Sequence, residues 1–115
     1  MKYIVFIIGP ISSGKSTIAK LIPNATIIEI DDIYESNLGG REFREAYKDK
    51  KFQNACWDEF YQKIVRTQTT FAVGLTTGLN QQFTTLLDKL KREYPNTLYI
   101  MSIESRKEDL LDELE

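Results

Sequence analysis

A glycine-rich segment, GPISSGKST, occupies residues 9–17 and follows directly after the apolar run YIVFII. It matches the pattern G-x-x-x-x-G-K-[ST], whose fixed positions are filled here by Gly9, Gly14, Lys15 and Ser16. Glycine lets the backbone turn with positive φ, and it lets successive N–H groups approach an anion closely. The segment is therefore predicted to join a strand to a helix and to bind the phosphates of a nucleotide.

Two side chains of this loop have predicted roles in binding a nucleotide. Lys15 can reach the outer phosphates, and we expect it to point to solvent or phosphate rather than into the core. The Ser16 hydroxyl can hold a magnesium ion, while the helix that begins near Lys15 adds its positive dipole end. An incidental glycine turn is the alternative, which the preceding strand and the following helix disfavour. The residues predicted to bind the nucleotide are Gly9, Ser12, Ser13, Gly14, Lys15, Ser16 and Thr17.

Strand-like and helix-like segments alternate along the whole chain. Runs of β-branched and aromatic residues predict strands over residues 3–8, 25–30, 71–77 and 97–103. Helical periodicity predicts helices over residues 15–22, 81–94 and 106–115, and across 41–69 with a break around 48–51. This alternation predicts a single α/β domain, residues 1–115, with right-handed crossovers and a short, mainly parallel sheet of about four strands flanked by helices.

Composition disfavours several classes of function. The chain has 115 residues and a formal net charge of −2, so no overall field favours nucleic acid or an anionic membrane. With no histidine and one cysteine, an internal disulfide is excluded, and zinc sites and histidine-based catalysis are disfavoured. The apolar run at the N-terminus lacks a cleavage site and the length of a membrane span, so a cytoplasmic location is predicted.

Taken in order, the motifs resemble those of the small P-loop kinases, especially the phage-type polynucleotide 5′-hydroxyl kinases and the gluconate-type kinases. The resemblance covers nearly the whole chain. It rests on the Walker A loop described above, on IDDIY, on TTGLN and on LYIMSIESRKEDLLDEL. The family implies phosphoryl transfer from ATP with Mg²⁺ on a three-layer P-loop fold. Its sheet has the phosphate-loop strand near the centre and ligands over the carboxyl ends of the strands.

Two aspartates follow the second predicted strand. Asp31 matches the aspartate that accepts the proton of the attacking hydroxyl in polynucleotide kinases, so Asp31 and Lys15 are the predicted catalytic residues. An acid at the carboxyl end of a strand beside the phosphate loop is also where such a reaction needs a base. The alternative is that the pair caps a short helix, IYES, because Asp is a strong N-cap residue. Capping is favoured for Asp32, which is otherwise a candidate magnesium ligand.

The stretch REFREAYKDKK, residues 41–51, falls where these kinases place substrate-binding elements. Arg41 and Arg44 are therefore candidates for holding a phosphate on the acceptor. A solvated helix of alternating charges is the alternative, and it is slightly favoured.

A stripe of aromatic residues with one cysteine follows at helical spacing. Stacking on a nucleobase is one role for such side chains, but the spacing favours a place in the core. Cys56 shares that apolar face and is predicted to be structural. The aromatic residues concerned are Trp57, Phe60 and Tyr61.

The sequence departs from the family at three places. The third strand ends at Thr76 and Thr77, which supply no charge, whereas polynucleotide kinases carry an acid there and gluconate-type kinases do not. Tyr34 matches an arginine that polynucleotide kinases use for nucleic-acid phosphate. The sequence stops where such kinases begin the lid and the fifth strand, so we expect an open site with room for a second copy of the chain to cover it.

Two functions follow from these observations. The first is a kinase that transfers the γ-phosphate of ATP to a hydroxyl of a nucleoside, a nucleotide end or a small metabolite. The second is a non-catalytic nucleotide-binding module, a kinase remnant without a lid, that acts through a partner. A polynucleotide acceptor is disfavoured because the chain is acidic and has no long basic groove. No membrane partner is expected.

Overall fold

The computed structural model describes residues 2–10, 14–78 and 80–103. The strands are β1 (Tyr3–Ile8), β2 (Ala25–Glu29), β3 (Phe71–Thr76) and β4 (Leu98–Ser102). The helices are α1 (Lys15–Ala19), α2 (Ile30–Ser36), α3 (Phe43–Tyr47), α4 (Lys50–Arg66) and α5 (Gln81–Glu93). The order along the chain is β1–α1–β2–α2–α3–α4–β3–α5–β4.

All four strands pair in parallel in one sheet, in the order β2–β3–β1–β4. The strand that leads into the glycine-rich loop, β1, therefore lies in the interior, with Tyr3 opposite Phe71 on β3 and Ile4 opposite Leu98 on β4. The last five residues of β1 are buried, as expected of an apolar strand covered on both faces. The prediction of an α/β fold with a short parallel sheet of four strands is confirmed.

One face of the sheet carries most of the core. Ile4, Phe6 and Ile8 alternate along β1 toward this face, where they pack in one cluster with residues of α2, α3, α4 and α5. The ring of Phe6 lies 5.1 Å from that of Phe83 and 6.0 Å from that of Phe60, centroid to centroid. Helices α4 and α5 thus fill this face with large aromatic and branched side chains.

The opposite face is covered more thinly in the part of the chain that the structure describes. Val5 and Ile7 of β1 pack there with Val73 and Leu75 of β3 and with Ala19 of α1. The edge strand β4 is covered least, since four of its five residues are exposed.

Gly74 explains how the aromatic residues fit against β3. A Cβ atom at this position would lie 2.7 Å from two ring carbons of Phe6 and 3.0 Å from a ring carbon of Phe60. Only a residue without a side chain allows both rings to approach the strand so closely. The glycine that weakens the strand pattern in the sequence is therefore a packing requirement.

The predicted break around residues 48–51 is confirmed. Helix α3 ends at Tyr47, and Asp49 is the N-cap residue of α4, where its carboxylate accepts a hydrogen bond from the Lys51 N–H at 2.9 Å. Most other boundaries differ from the prediction by one to three residues. The first helix ends at Ala19 rather than residue 22, and Ile30 begins α2 rather than ending β2.

The helix predicted over residues 106–115 lies outside the described residues. Among the helices that the structure does describe, none combines the length and the apolar character needed to cross a membrane.

Candidate functional site

The polar residues of interest lie at the carboxyl edge of the sheet, where parallel strands all end. The loop that starts at Gly9 leaves β1 at this edge, and the Gly9 N–H donates a hydrogen bond to the carbonyl oxygen of Thr76 at 3.2 Å. The end of β3 therefore supports the first residue of the loop. In open parallel sheets this edge is where ligands bind.

Gly14 closes the loop in a conformation that favours glycine. Its φ is 92° and its ψ is 14°, and it is the N-cap residue of α1. A side chain would be strained at this left-handed angle, although nothing lies within 4 Å of the place a Cβ would occupy. The requirement at Gly14 is thus one of backbone angle rather than space. Ser12 and Ser13, which are also predicted to bind nucleotide, lie outside the described residues.

The Lys15 side chain folds back onto its own loop. Only 7% of the residue is exposed, and its ammonium donates hydrogen bonds to the carbonyl oxygens of Gly9 at 2.7 Å and Pro10 at 3.2 Å. The side chain therefore does not point to solvent, and its contact with a phosphate stays a prediction. Backbone carbonyls at the mouth of β1 are strong acceptors, so they satisfy the donors of the buried ammonium. Ser16 and Thr17, on the first turn of α1, are exposed.

Asp31 and Asp32 lie in the first turn of α2, not at the end of a strand. The N-cap residue of this helix is Glu29, and it makes no side-chain capping bond. The alternative that Asp31 or Asp32 is the N-cap residue of this helix is therefore wrong. The negative charges of the two aspartates still interact favourably with the positive end of the helix dipole. Both residues are exposed, so their carboxylates are open to a ligand.

The loop and the aspartates are not on adjacent strands. Strand β3 lies between β1 and β2, so two strand spacings, about 10 Å, separate the backbones that carry Gly9 and Asp31. The role of Asp31 as a base beside the phosphate loop stays a prediction, since only the separation of the two strands is shown. Thr76, buried at the end of β3, occupies the position between them. Its hydroxyl donates to the carbonyl oxygen of Gly78 at 3.4 Å.

Sequence reasoning missed one acidic residue at this edge, Glu29, the last residue of β2. It pairs in register with Leu75, so it faces the side of the sheet that carries α1 and Lys15. Burial raises the pKa of Glu29, the charges of Asp32 and Asp31 raise it further, and Lys15 opposes them. The sequence feature that could have identified Glu29 is that it is the one charged residue of the strand ATIIE.

Glu29 and Asp32 line a groove of about 560 Å³ beside the edge strand β2. Lys63 and Arg66 of α4 line the same groove. Among the described residues, no group of three or more acidic, histidine or cysteine side chains is arranged to hold a metal ion.

The two candidate substrate arginines differ in their surroundings. Arg41 donates from Nε to the Leu38 carbonyl oxygen at 3.2 Å, lies 3.9 Å from the Asp49 carboxylate and sits 5.3 Å above the ring of Phe52. Arg44 is exposed on α3, and no carboxylate of the described residues lies within 4.0 Å of it. Arg44 is thus the one more available to a ligand.

The core assignment of the aromatic stripe on α4 is confirmed for Trp57 and Phe60, which are buried, as is Cys56. Tyr61 lies at the margin of the core, and its hydroxyl donates to the Glu93 carboxylate. None of the buried rings is free to stack on a base.

A comparison of the chain with models of known protein families finds no match, and a comparison with curated proteins finds none either. The interpretation of the site therefore depends on its own residues and geometry.

Proposed function

We propose that this protein binds ATP with Mg²⁺ in the loop of residues 9–17 and transfers the γ-phosphoryl group to a hydroxyl of an acceptor. The observation that carries the proposal is the position of the loop: it leaves an interior strand at the carboxyl edge of an all-parallel sheet and ends in a left-handed Gly14. The motif G-x-x-x-x-G-K-[ST] is placed in that way in phosphate-binding loops. The same features support a three-layer P-loop fold.

The chemistry assigns a task to each residue. Lys15 leaves the carbonyl oxygens of Gly9 and Pro10 when the β- and γ-phosphates arrive, because phosphate oxygens are charged and stronger acceptors. Ser16 would supply its hydroxyl to Mg²⁺, with Asp32 as a candidate for a further oxygen, and the ion would neutralise charge on the phosphates. The acceptor would lie over the carboxyl end of β3, which separates the loop strand from β2 and α2 by about 10 Å.

The transfer step needs a base on the acceptor side, and Asp31 fills that role. The acceptor oxygen attacks the γ-phosphorus, and the bond from that phosphorus to the β–γ bridging oxygen breaks, so that ADP leaves. The hydroxyl proton passes to the Asp31 carboxylate and then to water.

Nucleotide binding is tested by Lys15→Ala, with Lys20→Ala as the control, because Lys20 is an exposed lysine at the end of the same helix. Calorimetry with magnesium–ATP should show affinity about tenfold or more lower in Lys15→Ala and unchanged in Lys20→Ala. Thermal unfolding of both variants separates a loss of affinity from a loss of fold. Equal affinities in wild type and a folded Lys15→Ala would overturn the nucleotide proposal.

The transfer step is tested by Asp31→Asn, with Asp88→Asn on α5 as the control. Labelled ATP is offered with a panel of nucleosides, nucleotides, short oligonucleotides and sugar acids. Transfer should fall by about a hundredfold or more in Asp31→Asn, while ATP affinity changes by less than about 1 kcal/mol. Transfer at the wild-type rate in Asp31→Asn would remove this residue from the mechanism.

A second candidate function is a non-catalytic nucleotide-binding module that acts through a partner. The observation that favours it is the end of β3, where Thr76 and Thr77 supply no carboxylate beside the loop. ATP binding without transfer to any member of the acceptor panel is the outcome that this function predicts.

A further inference from the structure

Two aromatic rings on α3 are exposed to solvent side by side. Phe43 is 45% exposed and Tyr47 is 37% exposed. They are four residues apart, so they share one face of the helix, and their rings stack with centroids 5.3 Å apart and planes 28° from parallel. A paired aromatic surface of this kind is costly to leave in water and is typical of a contact site.

The exposed pair rests on a buried aromatic floor. Tyr34 of α2 is buried, and its ring meets those of Phe43 and Tyr47 edge-on, with centroid distances of 5.6 and 5.7 Å. The Tyr34 hydroxyl accepts a hydrogen bond from the indole N–H of Trp57 at 2.6 Å, and its ring stacks on Phe52. The outer rings are thus packed against fixed neighbours, so the surface is preorganised.

This surface adjoins the residues proposed for catalysis. Asp31 is three residues before Tyr34 on α2, which places both on the same side of that helix. Arg44 is three residues before Tyr47 on α3, which places them on one side of the helix, and within the described ranges its guanidinium has no carboxylate partner within 4.0 Å. The neighbouring helices α2 and α3 therefore carry a candidate base, an available cation and an exposed aromatic pair.

We infer that the acceptor carries an aromatic base, which stacks on Phe43 and Tyr47 while Arg44 holds an anionic group of the same molecule. The inference rests on the proposed function and narrows its acceptor to nucleobase-bearing anions, to the exclusion of sugar acids. A base has a π-face of the size of these rings, and such stacking tolerates differences in base identity. A guanidinium pairs well with a phosphate or carboxylate through two parallel N–H bonds.

The experiment uses AMP and ribose 5-phosphate, which differ by the base alone. A non-hydrolysable ATP analogue with Mg²⁺ is kept saturating, so that the loop site is filled in every titration. Binding is followed by the fluorescence of Trp57, the single tryptophan of the chain, which is hydrogen-bonded to the aromatic floor. AMP should bind about tenfold or more tightly than ribose 5-phosphate.

Phe43→Leu removes the ring and keeps the apolar bulk, and Tyr99→Leu on β4 is the control, since Tyr99 is an exposed aromatic residue on another element. Phe43→Leu should lower AMP affinity to nearly that of ribose 5-phosphate, while Tyr99→Leu leaves it unchanged. Arg44→Gln should weaken both probes by a similar factor.

Three outcomes would overturn the inference: equal affinity for the two probes, unchanged AMP affinity in Phe43→Leu, or a change of sedimentation coefficient in Phe43→Leu without a change of AMP affinity. The last would assign the rings to contact between copies of the chain. Calorimetry of magnesium–ATP alone tests the proposed function separately. Tight ATP binding with no preference for AMP refutes only the aromatic acceptor, whereas no ATP binding refutes the nucleotide site.

Discussion

The two faces of the sheet differ in thickness and in chemical character. On one face Ile4 and Phe6 meet a layer of helices rich in aromatic residues. On the other, Val5 and Ile7 pack beneath α1, a helix of five residues, in the described part of the chain. Lys15 and Glu29 both belong to this thinner side. Polar groups of the candidate site thus lie on the face where the described apolar packing is thinner.

The difference between the two faces can be tested most directly on β1, because Ile4 and Ile7 are both fully buried and point to opposite faces. Replacing either by alanine costs about 2–5 kcal/mol of unfolding free energy, depending on how far the neighbours close the cavity. We expect Ile4→Ala near the upper end and Ile7→Ala near the lower end, since a short helix relaxes more easily than a helix layer. Urea denaturation of both variants measures the difference. A larger loss in Ile7→Ala would contradict the comparison.

The close packing of the thicker face is tested at Gly74. Gly74→Ala places a methyl group 2.7 Å from ring atoms of Phe6, which should cost about 1–3 kcal/mol through overpacking. Gly78→Ala is the matched control, because nothing lies within 4 Å of a Cβ there. Thermal unfolding of the two variants measures the effect. Equal melting temperatures would show that the Phe6 and Phe60 rings move aside without cost.

The smallest expected effect is at Glu29, on the thinner side. Burial and the nearby aspartates raise its pKa above the ordinary value of 4.5, so the folded protein binds this proton more tightly than the unfolded chain does. The resulting stability is fully present below the unfolded pKa and is lost as pH rises through the folded one. Glu29→Gln should therefore gain stability relative to wild type on going from acidic to neutral pH.

Urea unfolding at a pH below 4 and at pH 7 measures this change. Glu35→Gln, which removes an exposed carboxylate from α2, is the matched control. A Glu29→Gln variant that loses stability relative to wild type at neutral pH would show that the carboxylate is stabilised there by Lys15.

Hydrophobic pattern was sufficient to predict much of the fold. Four apolar runs became four strands, and the helical spacing of Trp57 and Phe60 placed them in the core. The break predicted before α4 lies where the Asp49 carboxylate caps that helix. These features depend on residues near each other in sequence, which is why a single chain reveals them.

The arrangement at the site was harder to predict because it depends on strand order. Nothing in the sequence places β3 between β1 and β2, so the distance between the loop and Asp31 could not be predicted. The fold-back of Lys15 depends on the carbonyl oxygens of Gly9 and Pro10, which lie beside it only once the loop has closed. Glu29 ends a strand whose face is decided by its register with Leu75.

The pairing of β1 has a consequence for the order in which the chain acquires structure. The ribosome synthesises β1 before its partners β3 and β4. Tyr3 can therefore pair only after Phe71 has been synthesised, and Ile4 only after Leu98. Pairings so distant in sequence require long loops to close and slow the folding of a domain. Gly9 likewise gains its hydrogen bond only when Thr76 has been added. A nascent chain synthesised as far as the end of α4 contains the complete glycine-rich segment but lacks β3 and β4, the two strands that pair with β1.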